Sequence, residues 1–292
     1  MEKKDNEVFL ILDDLCNQNC IFCLRPKNKT KKLTTKEAKN KIKFLSINHS
    51  ILWLTGGEPT MRKDFIDLVS FSKKCNFRVA LQTNAVKLSD QKYVKELKKC
   101  GLDIILVSLH SNYEEVSDYL TQVPGSFKKT MKGIENSIKC GIETRISIVI
   151  NSKNFKHLYK IAEFVHRNFP SIRYFAVCLT IPEGNAWKNK WIIPKISEIE
   201  PFLYKFLNFC EKNKIQVGLR GIPLCYLRGF EKCSFEFYNI EVSENTEIKG
   251  IKYIKGPQCK FCLAKKKCAG VFKNYAEIFG TYELYPIYDT YT

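Results

Sequence analysis

The chain has 292 residues, of which 45% are hydrophobic and 27% charged. These proportions exclude a disordered or collagen-like chain and suit one large α/β domain with an appendage; at this length roughly 75% of the unfolded surface can be buried without the help of disulfides. The net charge of +18 is carried by 40 lysines and eight arginines spread along the whole chain, a Lys-rich solvated surface more than an Arg-rich nucleic-acid site, although an anionic substrate stays open.

The first apolar run, 8–12, is five residues long. A signal-peptide centre needs more, and a membrane span about 20 apolar residues, so a cytoplasmic protein with no membrane partner is expected. Thirteen cysteines in such a chain are not a disulfide framework, because that compartment keeps thiols reduced. Some of them are expected to hold a metal or a cluster.

In chain order, six β-rich runs stand out at 8–12, 51–55, 77–82, 104–110, 144–150 and 173–180. Amphipathic stretches lie between them, with Thr34 and Glu37 forming a capping-box pattern ahead of 37–46 and Ser89 ahead of 90–100. The alternation predicts parallel strands with helices outside. Cys75, Cys100 and Cys140 each close a helical stretch after a basic residue and precede Asn76, Gly101 and Gly141, the residue types of left-handed caps. With Cys178 and Cys210 they are expected to be buried packing residues. After a helix at about 197–213 the texture turns polar and aromatic, with five cysteines from 225 to 268.

Cys16, Cys20 and Cys23 follow the first strand directly, spaced C-x-x-x-C-x-x-C with Phe22 before the last. In a parallel α/β barrel such a loop lies on the catalytic face. Three thiolates hold three irons of a 4Fe-4S cube and leave the fourth open to a ligand. A zinc knuckle is the alternative, but no His is near and the next cysteine is Cys75. Thr55-Gly56-Gly57-Glu58-Pro59 ends the second strand.

The triplet with its aromatic residue and this turn together resemble the radical S-adenosylmethionine (SAM) superfamily and its GGEP motif. The resemblance implies an α/β fold with an incomplete (β/α)6 barrel, and a 4Fe-4S cluster on Cys16, Cys20 and Cys23 whose open iron is chelated by SAM. It also implies SAM contacts at Gly56, Gly57, Glu58 and Pro59, with Glu58 bracing the turn. Ser108 and Asn151, at the ends of strands four and five beside Thr83, Asn84 and His110, are candidate SAM contacts or simple strand-end caps. No side chain is assigned a catalytic role beyond the cluster ligands.

Cys259-x-x-Cys262-x5-Cys268 resembles the auxiliary-cluster region of the SPASM and Twitch groups of that superfamily. A full SPASM domain continues with a cysteine four positions on, where this chain has Phe272. Five cysteines cannot complete two four-thiolate clusters, so one second 4Fe-4S cluster is expected, with Cys225 as fourth ligand ahead of Cys233. Lysines between these cysteines are expected to favour thiolates. A structural zinc site remains the alternative.

The expected division is a radical SAM core at 1–182, a connecting helix and strand at 183–224, and the cysteine-rich extension at 225–292. The implied activity is reductive cleavage of SAM to a 5'-deoxyadenosyl radical for hydrogen abstraction. Its electrons would come from a low-potential donor such as ferredoxin or flavodoxin, and its substrate would be a peptide, a peptide-derived precursor or another small molecule. Nucleoside or RNA modification, and a non-catalytic iron-sulfur or zinc protein, are the other readings.

Overall fold

The computed structural model describes residues 6–25, 32–239, 245–248 and 250–288. The elements alternate as β1 (Glu7–Ile11), α1 (Thr35–Leu45), β2 (Ile51–Thr55), α2 (Phe65–Lys74), β3 (Arg78–Thr83), α3 (Gln91–Lys99) and β4 (Leu102–Ser108), followed by α4 (Glu114–Thr121) and α5 (Ser126–Lys139). They continue as β5 (Glu143–Ile150), α6 (Leu158–Asn168), β6 (Tyr174–Leu179), α7 (Gly184–Lys188), α8 (Ile196–Lys212) and β7 (Gln216–Arg220). One seven-stranded sheet takes the strands in chain order, β1 to β7. The pairings β1–β2, β2–β3, β3–β4, β4–β5 and β6–β7 are parallel. An unreversed order with right-handed crossovers puts every crossover helix on one face, as in a partial barrel and unlike a doubly wound sheet.

All six expected strands are present, and the strand expected in the connection, β7, joins the same sheet as its seventh member. It lies in the stretch read as a connection and pairs with β6 from Tyr174↔Gln216 to Cys178↔Arg220. The Thr34–Glu37 capping box forms as expected. The start of α3 differs from the expectation. Asp90 caps it by accepting from the Lys92 amide (2.9 Å), while the Ser89 hydroxyl turns back to donate to the Val86 carbonyl (2.8 Å). A carboxylate at the helix start also meets the positive end of the dipole.

The chain divides into two compact units, and the boundary passes through β5. The first comprises Met1–Cys20, Arg25–Ser147 and Phe169–Ile172. Its core is β2, buried along its whole length, with Phe9 of β1 stacked on Trp53 at 5.8 Å. Cys75, Cys100 and Cys140 are the C-caps of α2, α3 and α5, each followed by a residue at positive φ. They are half-buried, not buried as expected, because a C-cap lies at the rim of the helix–sheet contact.

The second unit comprises Ile21–Leu24, Ile148–Asn168 and Arg173–Thr292. In β6, Phe175, Val177 and Leu179 are buried while Tyr174, Ala176 and Cys178 are half-buried. Phe175 meets Phe206 of α8 edge to face at 5.7 Å, so Ala176 and Cys178 point to the face of the sheet opposite α8. Beyond β7 come α9 (Phe235–Asn239), an antiparallel sheet of β8 (Asn245–Ile248), β9 (Ile251–Ile254) and β10 (Val271–Phe272), then α10 (Lys273–Phe279). Cys210 is buried in α8, and Cys178 is half-buried.

Candidate functional site

In the first unit the loop leaving β1 is fastened to the turn leaving β2. The Gly57 amide donates to the Asp13 carbonyl (2.8 Å) and the Glu58 amide to the Leu15 carbonyl (2.6 Å). Side chains do not fit here. A Cβ on Gly56 would lie 2.4 Å from the Asp13 carbonyl oxygen, and one on Gly57 2.3 Å from that of Leu15. The paired glycines therefore let two backbones touch where the cysteine loop begins.

Glu58 is fully buried. Its Oε1 accepts from the Thr60 amide (3.2 Å), the Thr60 hydroxyl (2.6 Å) and the Thr83 hydroxyl (2.8 Å), and its Oε2 from the Asn84 amide (2.7 Å). Burial lifts its carboxyl above the ordinary range, and the donated hydrogen bonds pull in the other direction. Asn84 then reaches the cysteine loop itself, its Nδ2 donating to Asn17 Oδ1 at 2.6 Å. The Asn19 amide donates to the Thr121 carbonyl (3.0 Å). On this tethered loop Cys16 and Cys20 are half-buried, and the Gln18 amide donates to Cys16 Sγ at 3.4 Å. Pro59 opens a short 3-10 turn after Glu58.

A buried ion network completes the anchor. Arg62 Nη1 donates to Asp13 Oδ2 (3.1 Å) and to the Leu33 carbonyl (2.9 Å), while its Nε and Nη2 hold the two oxygens of Asp64 at 2.9 and 2.7 Å. Arg62 and Asp13 are not among the site residues that the motifs in the sequence point to. The signal was an Arg–x–Asp step just beyond the GGEP turn with an Asp pair ahead of the first cysteine.

The strand-end candidates divide. Ser108 is the half-buried last residue of β4. Asn151, fully buried beyond β5, commits its amide locally, with Nδ2 donating to the Val149 carbonyl (3.0 Å) and Oδ1 accepting from the Lys153 amide (3.0 Å). Burial lowers His110 to about 4, so its imidazole is neutral at pH 7.

In the second unit, half-buried Cys23 accepts at its carbonyl from the Asn185 amide (2.8 Å). Farther along the chain, Cys225, Cys259, Cys262 and Cys268 line one small cavity together with Lys255 and Tyr285. Cys225 enters through the short turn Leu224–Tyr226 that follows β7. Two backbone amides point at sulfur: Leu224 N–H to Cys268 Sγ at 3.4 Å and Ile287 N–H to Cys262 Sγ at 3.3 Å.

Cys233 stays outside this group, near Cys210, Glu211 and Glu231. Lys255 favours the thiolates of Cys259 and Cys268 as expected, but burial outweighs it. Burial pushes Cys225 up to about 12 and also raises Cys259 and Cys268, outweighing the opposing effect of Lys255 on the last two. Lys255 is drawn off to the Lys265 carbonyl (2.7 Å). Among the described residues no three His, Cys, Asp or Glu side chains gather closely enough to hold a metal ion, so the four thiols border a space and do not meet at a point.

A strand-ordered parallel sheet whose first loop carries cysteines and is fastened to a glycine turn at the carboxyl end of β2 defines an α/β fold of the partial-barrel kind. The family model of the radical SAM superfamily matches residues 11–165, and the chain belongs to that superfamily. An AdoMet-dependent heme synthase from Methanosarcina barkeri is 29% identical over 212 residues, covering 71% of this chain and 59% of the relative. A probable GTP 3',8-cyclase from Saccharolobus islandicus is 32% identical over 159 residues, covering 53% of this chain and 51% of the relative. The chain thus spans between half and three-fifths of these curated relatives. Among solved structures, Streptococcus suis SuiB aligns with a TM-score of 0.62 at 17% identity, over 82% of this chain and 54% of that one. The protein anSMEcpe, solved with AdoMet and a peptide, aligns at 0.59 and 17%, over 72% of this chain and 62% of that one.

Proposed function

We propose that the chain is a radical SAM enzyme whose SAM-binding cluster is held by Cys16, Cys20 and Cys23. The observation that carries this reading is the pair of hydrogen bonds from Gly57 and Glu58 to the loop at Asp13 and Leu15. The residues fit a 4Fe-4S group that keeps one iron free for SAM. The donor set is three thiols without histidine, the first two half-buried on a backbone held at both the GGEP turn and Asn84. Cys16, Cys20 and Cys23 would hold a 4Fe-4S group there, and its chemistry would be one-electron reductive cleavage of SAM to methionine and a 5'-deoxyadenosyl radical for hydrogen abstraction.

The chain's own contribution is rigidity and placement. Glu58 ties the ends of β2 and β3 together, Arg62 fixes the start of the loop, and Gly56, Gly57, Pro59 and Ser108 are carried as candidate SAM contacts. Asn151 is carried with them as a candidate contact, its side-chain amide and its backbone both being hydrogen-bonded within the turn after β5.

Cys225, Cys259, Cys262 and Cys268 are proposed to hold a second 4Fe-4S cluster of the Twitch or SPASM kind. Their shared cavity and the two amide-to-sulfur hydrogen bonds support this, because such bonds stabilise cluster thiolates and tune potential. On this reading 1–182 is the core, 183–224 the connection and 225–292 the cluster extension. A ferredoxin or flavodoxin would deliver electrons, and a peptide or peptide-derived molecule would be the substrate. Thirteen free thiols favour a reducing, cytoplasmic setting.

The reading is tested by electron paramagnetic resonance of the anaerobically reconstituted, reduced protein with and without SAM. SAM should change the cluster signal in the wild type, and Cys16→Ala/Cys20→Ala/Cys23→Ala should remove the SAM-responsive component. A signal indifferent to SAM would refute it.

A further inference from the structure

One half-buried arginine in the second unit, Arg220, is not among the residues proposed to hold either cluster. Arg220 ends β7, and its Nε and Nη2 are buried without a hydrogen-bond partner among the described residues. Strand alternation decides where it points. Arg220 stands in register with Cys178, two residues on from the pair Ala176↔Gly218, and Ala176 and Cys178 project from the face opposite α8. Arg220 shares that face. It therefore sits at the carboxyl end of a barrel strand on the side away from the crossover helix, where this architecture places its ligands.

The neighbouring carboxylate does not occupy the guanidinium edge. Glu236, also buried, has Oε1 engaged by the Gly221 amide (3.0 Å) and the Tyr253 hydroxyl (3.0 Å), and Oε2 by the Ser234 hydroxyl (3.0 Å). Phe235 lies against the guanidinium at 5.6 Å and limits its motion. Nε and Nη2 form the side-on fork of arginine, whose two parallel N–H bonds match the two oxygens of a carboxylate. Arg62 uses the same two atoms in this way on Asp64, at 2.9 and 2.7 Å. In Arg220 the same two atoms are desolvated and without a partner among the described residues, while the Tyr253 hydroxyl interacts with the guanidinium beside them.

We propose that Arg220 anchors a carboxylate of the substrate through Nε and Nη2. The assignment rests on the radical SAM reading for the word substrate, but the anion site itself does not. SAM also carries a carboxylate, and the test separates the two sources.

Reconstituted holoenzyme is titrated with acetate, citrate, inorganic phosphate and SAM at constant ionic strength, and the thermal unfolding midpoint is followed for wild type, Arg220→Gln and Arg220→Lys. Near-UV circular dichroism establishes that each variant is folded. Acetate and citrate should raise the wild-type midpoint. Their apparent affinity should fall about tenfold or more in Arg220→Gln and partly in Arg220→Lys, which keeps charge but not the fork. The SAM response should persist in all three. Equal carboxylate responses in wild type and Arg220→Gln, or none in the wild type, would overturn the proposal. So would a defect confined to SAM, which would assign the arginine to the cofactor, or a defect confined to phosphate, which would change the ligand class. Because the anion arms do not depend on SAM cleavage, failure of the radical SAM reading leaves a distinct result.

Discussion

Glu58 offers a quantitative test of how the cysteine loop is held. It is fully buried and accepts four hydrogen bonds, three on Oε1 and one on Oε2. Glu58→Ala leaves four donors on Thr60, Thr83 and Asn84 without their acceptor. At about 1 kcal/mol net for each bond the loss is about 4 kcal/mol, among the larger effects of a single substitution. Glu58→Gln keeps Oε1 for three donors but turns an amide N–H against the Asn84 N–H, so it should cost less, about 2 kcal/mol. Urea unfolding followed by the fluorescence of Trp53, buried in β2 at 3% exposure, measures both in the first unit. A loss below about 1 kcal/mol for Glu58→Ala, or a larger loss for Gln than for Ala, would refute the bracing network.

Gly57→Ala should displace the loop at Leu15, since its Cβ would lie 2.3 Å from a carbonyl oxygen; iron analysis should show about four fewer irons per chain than the wild type. The wild type with both clusters should hold about eight irons and the Cys16/Cys20/Cys23 triple alanine variant about four. Within that variant Cys225→Ala should lower the number further and Cys233→Ala should not, and one zinc in place of the residual iron would replace the auxiliary cluster with a structural site. Alanine at Cys75, Cys100 or Cys140 should leave iron content unchanged and cost about 1 kcal/mol or less, because these C-caps are half-buried; loss of about four irons from any of them would expose a missed ligand.

The strands that were readable in the sequence are those with continuous apolar runs, such as Ile51–Thr55, buried throughout. β7 was not readable as part of the sheet because Gln216–Arg220 has a glycine at its centre and a charge at its end. Its place in the sheet comes from pairing with β6, a tertiary effect that local pattern does not carry. The cysteine triplet and the GGEP turn announced their chemistry by residue type and spacing. Their physical connection did not appear in the sequence, because the glycine requirement comes from carbonyls more than 40 positions away. Asp90 took the cap from Ser89 by one position, a choice set by backbone angles. Cys225 joins its distant partners through the turn after β7, whereas Cys233, only eight positions on, is directed toward Cys210.

The central claim is cleavage of SAM at the N-terminal thiol loop, and product analysis tests it most directly. Anaerobically reconstituted protein, reduced and supplied with SAM, should form methionine and 5'-deoxyadenosine in equal amounts, resolved by chromatography and mass spectrometry, and the Cys16/Cys20/Cys23 triple alanine variant should form neither. Equal product from the triple variant, or no 5'-deoxyadenosine from a wild type whose cluster is shown to be loaded and reduced, would contradict it.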